Sequence, residues 1–169
     1  LTGSIHLFYY HPFQLTVIER FQNDWLFRLN KVRLKAMNYN FSGKNAVIIG
    51  RSHIVGRPMH KLLLDASMNV TILHTKTSEE DKRFYLEHAD LIVVAAGKAG
   101  VLNKSYKLKE TAVVMDVGIN FNDQGKLIGD CEKDLQVAFQ SPVPGGCGLL
   151  TRLAVIENSK SQKIKFQEI

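Results

Sequence analysis

The chain has 169 residues, 45% of them hydrophobic, which is enough for one cored domain with an appendage and too apolar for an intrinsically disordered segment. Its formal net charge of +6 suits an anionic partner such as nucleic acid, a membrane surface or a phosphorylated small molecule, although scattered lysines, dense only at Lys160, Lys163 and Lys165, serve plain solubility equally well. Cys131 and Cys147 sit in no CxxC and no Cys/His cluster, so they read as reduced thiols of an intracellular protein and supply no metal site, and no apolar run reaches membrane-spanning length.

Residues 1–42 differ from the rest, being rich in aromatics and arginine with no glycine between Gly3 and Gly43. Their start, Leu1-Thr2-Gly3-Ser4, has neither an initiator Met nor a signal-peptide layout, so the chain is expected to begin inside a longer protein. Leu15, Ile18, Phe21, Trp25, Leu26 and Leu29 fall at helical spacing and predict a helix over 15–34. Ser42-Gly43 breaks the pattern, and a domain boundary is placed there. Ala46–Ile49 then forms a short apolar run suited to a strand buried on both faces. A helix follows, with Pro58 in its first turn and Met59, Leu62, Leu63 and Ala66 on its apolar face. Strands are expected over 69–73, 91–96 and 112–117, with a charged helix over 78–88. This alternation predicts a parallel sheet with helices on both faces, the α/β class.

The first strand runs into Gly50-Arg51-Ser52-His53-Ile54-Val55-Gly56-Arg57-Pro58. Gly50 permits a tight turn and a positive φ, and Gly56 permits close approach to a ligand or to the sheet. A helix N-terminus at this point would offer unpaired N–H groups to a phosphate. Ser52 and Val55 stand where the G-x-G-x-x-G fingerprint has glycines, so the turn alone reads equally as ligand binding or as structural punctuation. The second strand ends His74-Thr75-Lys76-Thr77, without the acid that accepts from a ribose hydroxyl in NAD sites. Hydroxyl and basic groups there, with Arg51 nearby, suit a 2′-phosphate, hence NADP. His53 and His74 read as turn residues rather than catalysts.

Two further small-residue turns, around Gly97 and around Gly118, follow the third and fourth strands at the edge where open α/β sheets bind ligands. Asp116 is read as a ligand contact or, more commonly for its type, a loop-capping carboxylate. The segment from Ser141 to Thr151 holds two prolines and three glycines, a rigid loop of the kind that lines sites, with Pro142 and Pro144 as candidates for cis bonds and a short helix after it.

Taken in order, these segments resemble the methylenetetrahydrofolate dehydrogenase/cyclohydrolase family. Residues 50–58 resemble its GRSxIVGxP, 70–77 its VTxxHSxT, 116–120 its DVGIN, 129–131 its GDV, and 142–148 with Thr151 its PVPGGVGPMT, with agreeing order and spacing across 43–159. The resemblance implies a Rossmann-like doubly wound parallel sheet, preceded by a helical extension left over from an adjoining domain. The expected division is 1–42 as remnant or linker, 43–159 as the NADP-binding domain and 160–169 as a tail. It further implies NADP as cofactor, held by Gly50, Arg51, Ser52, Ile54, Gly56, Thr75, Gly97, Gly118, Ile119, Gly146 and Thr151. Gly50, Arg51 and Ser52 would hold phosphates, Thr75 would reach the 2′-phosphate, and Ile119 and Thr151 would bracket the nicotinamide. The family reaction oxidises 5,10-methylenetetrahydrofolate and hydrolyses the methenyl product, and its members are commonly homodimers; the compartment implied is cytoplasmic or mitochondrial.

The chain departs from the family at 11–19, where only the later part of PCTPxGVxxL is matched, at Leu149 and Ala99, which replace prolines, and above all in lacking the folate-binding domain. The YxxxK lysine, the QLPLP segment and the KDVDGF aspartate are not in this sequence, so no catalytic residue is assigned; Tyr39 and Lys44 are rejected as a disguised motif. Hydride transfer needs the folate held against the nicotinamide, so turnover is expected only if the other domain is supplied. Two alternatives stay open: a non-catalytic NADP-binding module or degenerate paralogue, and, on charge alone, a nucleic-acid-binding domain.

Overall fold

The computed structural model describes residues 39–147; the helix expected over 15–34, Thr151, the expected last helix and the tail lie outside the described residues. In chain order the elements are β1 (Asn45–Ile49), α1 (Gly56–Asp65), β2 (Asn69–Leu73), α2 (Glu79–Glu87), β3 (Leu91–Val94), β4 (Val113–Asp116), β5 (Asn120–Phe121), β6 (Leu127–Ile128) and β7 (Phe139–Gln140).

β1, β3 and β4 are runs of branched apolar residues, stiff at χ1 and at home on a pleated surface, and β3 and β4 are buried throughout. All strands of the main sheet are parallel, in the order β2-β1-β3-β4-β7. Alternate residues feed two cores. Ala46, Ile48, Leu91, Val93, Val113 and Met115 meet Met59, Leu62 and Leu63 of α1 on one face. Val47, Ile49, Ile92, Val94 and Val114 meet Leu86 of α2, Leu102 and Leu135 on the other. Helices on both faces of a parallel sheet make this the doubly wound, Rossmann-like arrangement.

α1 buries an i, i+3, i+4 stripe. Pro58 occupies its first turn, and Ala66 is its C-cap rather than a member of the buried face. α2 starts at an N-cap: the Ser78 Oγ accepts from the Asp81 N–H at 3.1 Å, and Glu79, Glu80 and Asp81 complement the helix dipole.

The regular alternation stops after β3. No helix joins β3 to β4; instead a loop inserts Leu102, fully buried, with Val101, Tyr106 and Leu108 against the second face, where the side chains of a helix would otherwise sit. β3 ends at Val94, short of the expected Ala96, because the Ala96 and Gly97 N–H groups turn to a carboxylate on a later loop. β5 and β6 form a small antiparallel pair outside the main sheet.

At the amino edge of the sheet, Tyr39 and Phe41 pack on the first core, and the Tyr39 hydroxyl donates to the Asp90 carbonyl at 3.1 Å. The Lys44 Nζ lies 4.4 Å from the Tyr39 ring centroid. Tyr39 and Lys44 therefore belong to the end of the sheet opposite the Gly-containing turns.

Candidate functional site

The order β2-β1-β3 reverses the direction of winding between β1 and β3, and ligands of open α/β sheets sit in the crevice beyond the carboxyl ends at such a switch point. Gly50 ends β1 there. Its N–H donates to the Leu73 carbonyl at 2.9 Å, its φ is +121°, and a Cβ would stand 2.2 Å from the Ala95 oxygen. Only glycine lets the β1 turn lie against the end of β3. Gly56 is buried on the same turn: a Cβ there would meet the Gly50 oxygen at 2.2 Å, so its close approach is to the end of β1.

The donors of this turn are not those the sequence suggested. The Ser52 Oγ accepts from the Val55 N–H at 3.1 Å and more weakly from Gly56 at 3.5 Å, and the Ser52 carbonyl accepts from Arg57 at 3.0 Å. Pro58 has no N–H, so the start of α1 has used its donors internally. The backbone N–H groups of Arg51, Ser52, His53 and Ile54, by contrast, make no hydrogen bond to any described residue. The amides without a described partner thus lie in the turn itself rather than at the helix end. Arg51 and Ser52 are exposed, and Ile54 is 62% exposed beside them. The Ser52 hydroxyl proton remains available, because its oxygen acts as acceptor in both contacts.

The β1–β2 register pairs Ile49 with Leu73, so Arg51 and Thr75 each stand two residues beyond a paired position on neighbouring strands. Thr75 and Lys76 are exposed. His74 is a turn residue: its N–H donates to the Thr77 Oγ1 at 3.0 Å and its Nδ1 accepts from the Lys76 N–H at 3.1 Å. Across the three loops 50–58, 74–77 and 95–100 the sequence places Arg51, Arg57, Lys76 and Lys98 and no acid. Those three loops therefore carry charge of one sign, while Glu79, Glu80 and Asp81 at the start of α2 and the carboxylates of Asp116 and Asp130 lie next to them.

The turns after β3 and β4 are held by two buried carboxylates. Asp116, 3% exposed, accepts through Oδ1 from Gly118 at 2.9 Å and Asp130 at 3.1 Å, and through Oδ2 from Cys131 at 2.8 Å, all backbone N–H groups. Asp116 is thus the loop-capping carboxylate of the two roles open for it. Asp130, fully buried, accepts through Oδ2 from the Ala96 and Gly97 N–H groups at 2.7 and 2.8 Å, and through Oδ1 from the Asn120 Nδ2 at 2.7 Å. Gly118 and Gly129 make room for the pair: a Cβ at Gly118 would lie 2.1 Å from the Asp130 Cγ, and one at Gly129 2.0 Å from an Asp116 oxygen. The bracing of these turns by Asp130 and Asn120 was not singled out in the sequence; the available signal was a glycine beside an acid in Gly129-Asp130, and an acid two residues before a glycine in Asp116-Val117-Gly118. Burial, with Asp116 beside it, pushes the Cys131 thiol far above its usual range.

Gly97, at φ +65°, and Ile119, 68% exposed, lie at the same edge. Gly146 is buried against the Pro142 carbonyl, where a Cβ would come within 2.2 Å. Of the two prolines, Pro144 has the cis bond, to Val143. A cleft of about 870 Å³ runs between residues 99–103 and 128–143, on the β4–β7 side rather than over Gly50. Among the described residues no group of His, Cys, Asp and Glu could hold a metal, and no helix is long and apolar enough to cross a membrane.

A switch-point turn whose amides have no partner among the described residues, cationic groups on the neighbouring loops and two turns on carboxylate braces are the features of a dinucleotide-binding α/β domain. Residues 31–166 match the family model for the tetrahydrofolate dehydrogenase/cyclohydrolase NAD(P)-binding domain, and the chain belongs to that family. It is 48% identical over 130 residues to the bifunctional protein FolD of Staphylococcus haemolyticus, covering 75% of this chain and 44% of that protein. The FolD of Staphylococcus aureus strain Newman is 47% identical over 129 residues, with the same coverage. The chain thus spans under half the length of the curated relatives it matches. Among solved structures, the bifunctional FolD dehydrogenase/cyclohydrolase of Campylobacter jejuni superposes with a TM-score of 0.78 at 37% identity, covering 92% of this chain and 57% of that one. The Trypanosoma brucei FolD, complexed with NADP cofactor and inhibitor, shares the fold at TM-score 0.78 and 24% identity, covering 94% and 58%.

Proposed function

We propose that the chain binds NADP at the carboxyl edge of its sheet, with the adenine half over β1 and β2 and the nicotinamide half over β3 and β4. It would be the cofactor-holding part of an NADP-dependent methylenetetrahydrofolate dehydrogenase with methenyltetrahydrofolate cyclohydrolase activity, in one-carbon folate metabolism. The observation that carries the reading is the set of four amides at Arg51–Ile54 that have no partner among the described residues, in a turn that Gly50 fits between β1 and β3 and whose neighbouring loops carry no acid. The NAD(P)-binding family to which residues 31–166 belong supports the same cofactor class.

In this reading Gly50, Arg51, Ser52, Ile54 and Gly56 cradle the pyrophosphate. Arg51 and Thr75, with Lys76, receive the 2′-phosphate, for which a guanidinium fork and a hydroxyl are apt donors. Gly97, Gly118 and Ile119 floor the nicotinamide half, Gly146 shapes the loop beside it, and Thr151 completes it. NADP, when bound, supplies the hydride acceptor; these residues orient it and exclude water. The folate would be held by protein beyond this chain's matched region, so oxidation of 5,10-methylenetetrahydrofolate belongs to the completed protein. We assign 43–159 to the cofactor domain, with Tyr39 and Phe41 docked on it, 1–42 to the connection and 160–169 to a tail. We further infer a homodimer and, from the two free thiols, an intracellular location.

Isothermal titration with NADP and NAD tests the reading. NADP should bind at least about tenfold tighter, a difference of about 1.4 kcal/mol. Equal affinities would remove the roles given to Arg51 and Thr75, and absence of binding by either would remove the cofactor. A purely binding module gives the same titration, and differs in failing to turn over folate once the completed protein is assayed.

A further inference from the structure

We infer that Asp130 is a positioning residue of the nicotinamide half of the site, its carboxylate tying the turn after β3 to the segment after β4. The inference rests on the cofactor reading above.

The Asp130 carboxylate is fully buried and gathers donors from two directions. Its oxygens collect the Ala96 and Gly97 N–H groups from the turn after β3 and the Asn120 side-chain amide from the segment after β4. Asn120 also donates to the Gly129 carbonyl at 3.1 Å, which returns the link to the loop that carries Asp130. That loop is itself fixed, since the Asp130 and Cys131 N–H groups are held by Asp116, and the Asp116 N–H by the Ser141 Oγ at 2.8 Å. Asp130 is thus where three separate segments, 96–97, 118–120 and 129–131, meet through one group.

No lysine or arginine among the described residues pairs with Asp130 or Asp116. Burying a carboxylate costs free energy unless hydrogen bonds offset it, and here three N–H donors do so. What only a carboxylate provides is two acceptor oxygens in one plane, fixing amides on different segments at a set distance. The glycines support this: Gly118 lies so close that any side chain would collide with the Asp130 carboxylate, so the β4 turn is moulded around that group. The turns thus positioned are those that lie across β1 from the β2 end of the crevice, and a dinucleotide held at the Gly50 turn with its 2′-phosphate by β2 extends its other half over them.

The test separates the two halves of the cofactor. Adenosine 2′,5′-bisphosphate presents only the adenine half, NADP both. For the full chain, we expect Asp130→Asn, which has one acceptor oxygen in place of two, to raise the NADP Kd about tenfold while changing the adenosine 2′,5′-bisphosphate Kd by less than about twofold. Asn120→Ala, which removes one donor and no buried charge, should show the same selectivity with a smaller rise, and it answers the question even if Asp130→Asn does not fold. Unchanged NADP affinity in a folded Asp130→Asn, or in Asn120→Ala if that variant alone folds, overturns the inference. So does an equal weakening of both ligands, which would mark Asp130 as a general structural group. A wild-type chain that binds neither ligand overturns instead the cofactor reading on which the inference stands.

Discussion

A methyl group at Gly50 would have two separate faults. The backbone sits at φ +121°, which side-chain-bearing residues rarely adopt, and the new carbon would come within 2.2 Å of the Ala95 carbonyl, a backbone atom that cannot swing aside. Gly43 is the natural control: its φ is +72°, yet nothing lies within 4 Å of where its Cβ would be. Gly43→Ala should therefore cost only the backbone term, about 1 kcal/mol, and Gly50→Ala about 2–4 kcal/mol, as measured by urea unfolding. Equal costs would mean that the crowding between the ends of β1 and β3 relaxes freely. The importance of Gly50 was legible in the sequence, because a glycine between a strand and a helix start marks a turn that other residues strain to make. The identity of what it touches was not, since Ala95 is far along the chain and only the sheet order makes them neighbours.

Among elements, the long ones were legible and the short ones were not. β1, β2, α1 and α2 carry enough branched or periodic residues to declare themselves, and α2 also announces its start with Ser78. β5, β6 and β7 are two residues each, below any period, and the helix-free passage from β3 to β4 depends on Leu102 finding a gap in the second core. The amino edge shows what holds these pieces in register. The Asp90 Oδ2 accepts from the Asn45 N–H at 2.9 Å, its Oδ1 from the Lys109 Nζ at 2.8 Å, and its carbonyl from Tyr39 and from the Val113 N–H. Desolvation raises the Asp90 pKa, but the Lys109 hydrogen bond, the Asn45 amide and the charges of Lys109 and Lys44 outweigh it and hold the carboxyl below its usual range. A depressed folded pKa gives stability that is present above the unfolded value, about 4, and is lost as pH falls through the folded one. Asp90→Asn should therefore be less stable than wild type at pH 7, with the gap narrowing on acidification below about pH 4. Urea unfolding of both proteins at about pH 7 and about pH 3 measures it; a gap that stays constant with pH would show that Asp90 acts by shape rather than charge.

At the carboxyl edge of the sheet, three loops gather charge of one sign. The carboxyl-edge loops 50–58, 74–77 and 95–100 bear four Lys or Arg and no acid, while the acids begin at once beyond them, in Glu79, Glu80 and Asp81 of α2. Sequence composition could not show this, because a net charge of +6 spread along a chain has no direction until the sheet gathers three distant loops onto one rim. A rim of one sign attracts the more highly charged ligand more strongly, and salt weakens that attraction, since the Debye length falls from about 10 Å at 0.1 M to about 3 Å at 1 M. NADP differs from NAD by one phosphate, so the difference in salt sensitivity isolates what the rim does for that group. Between about 0.05 and 0.5 M KCl the NADP Kd should rise about tenfold and the NAD Kd distinctly less, so that the preference for NADP shrinks with added salt. Arg51→Gln, which keeps hydrogen-bonding capacity but removes the charge, should flatten the NADP dependence toward that of NAD. Parallel salt dependences in the wild-type chain would mean that the extra phosphate never meets Arg51 or Lys76, and the choice between the two cofactors would then have to come from shape around Thr75.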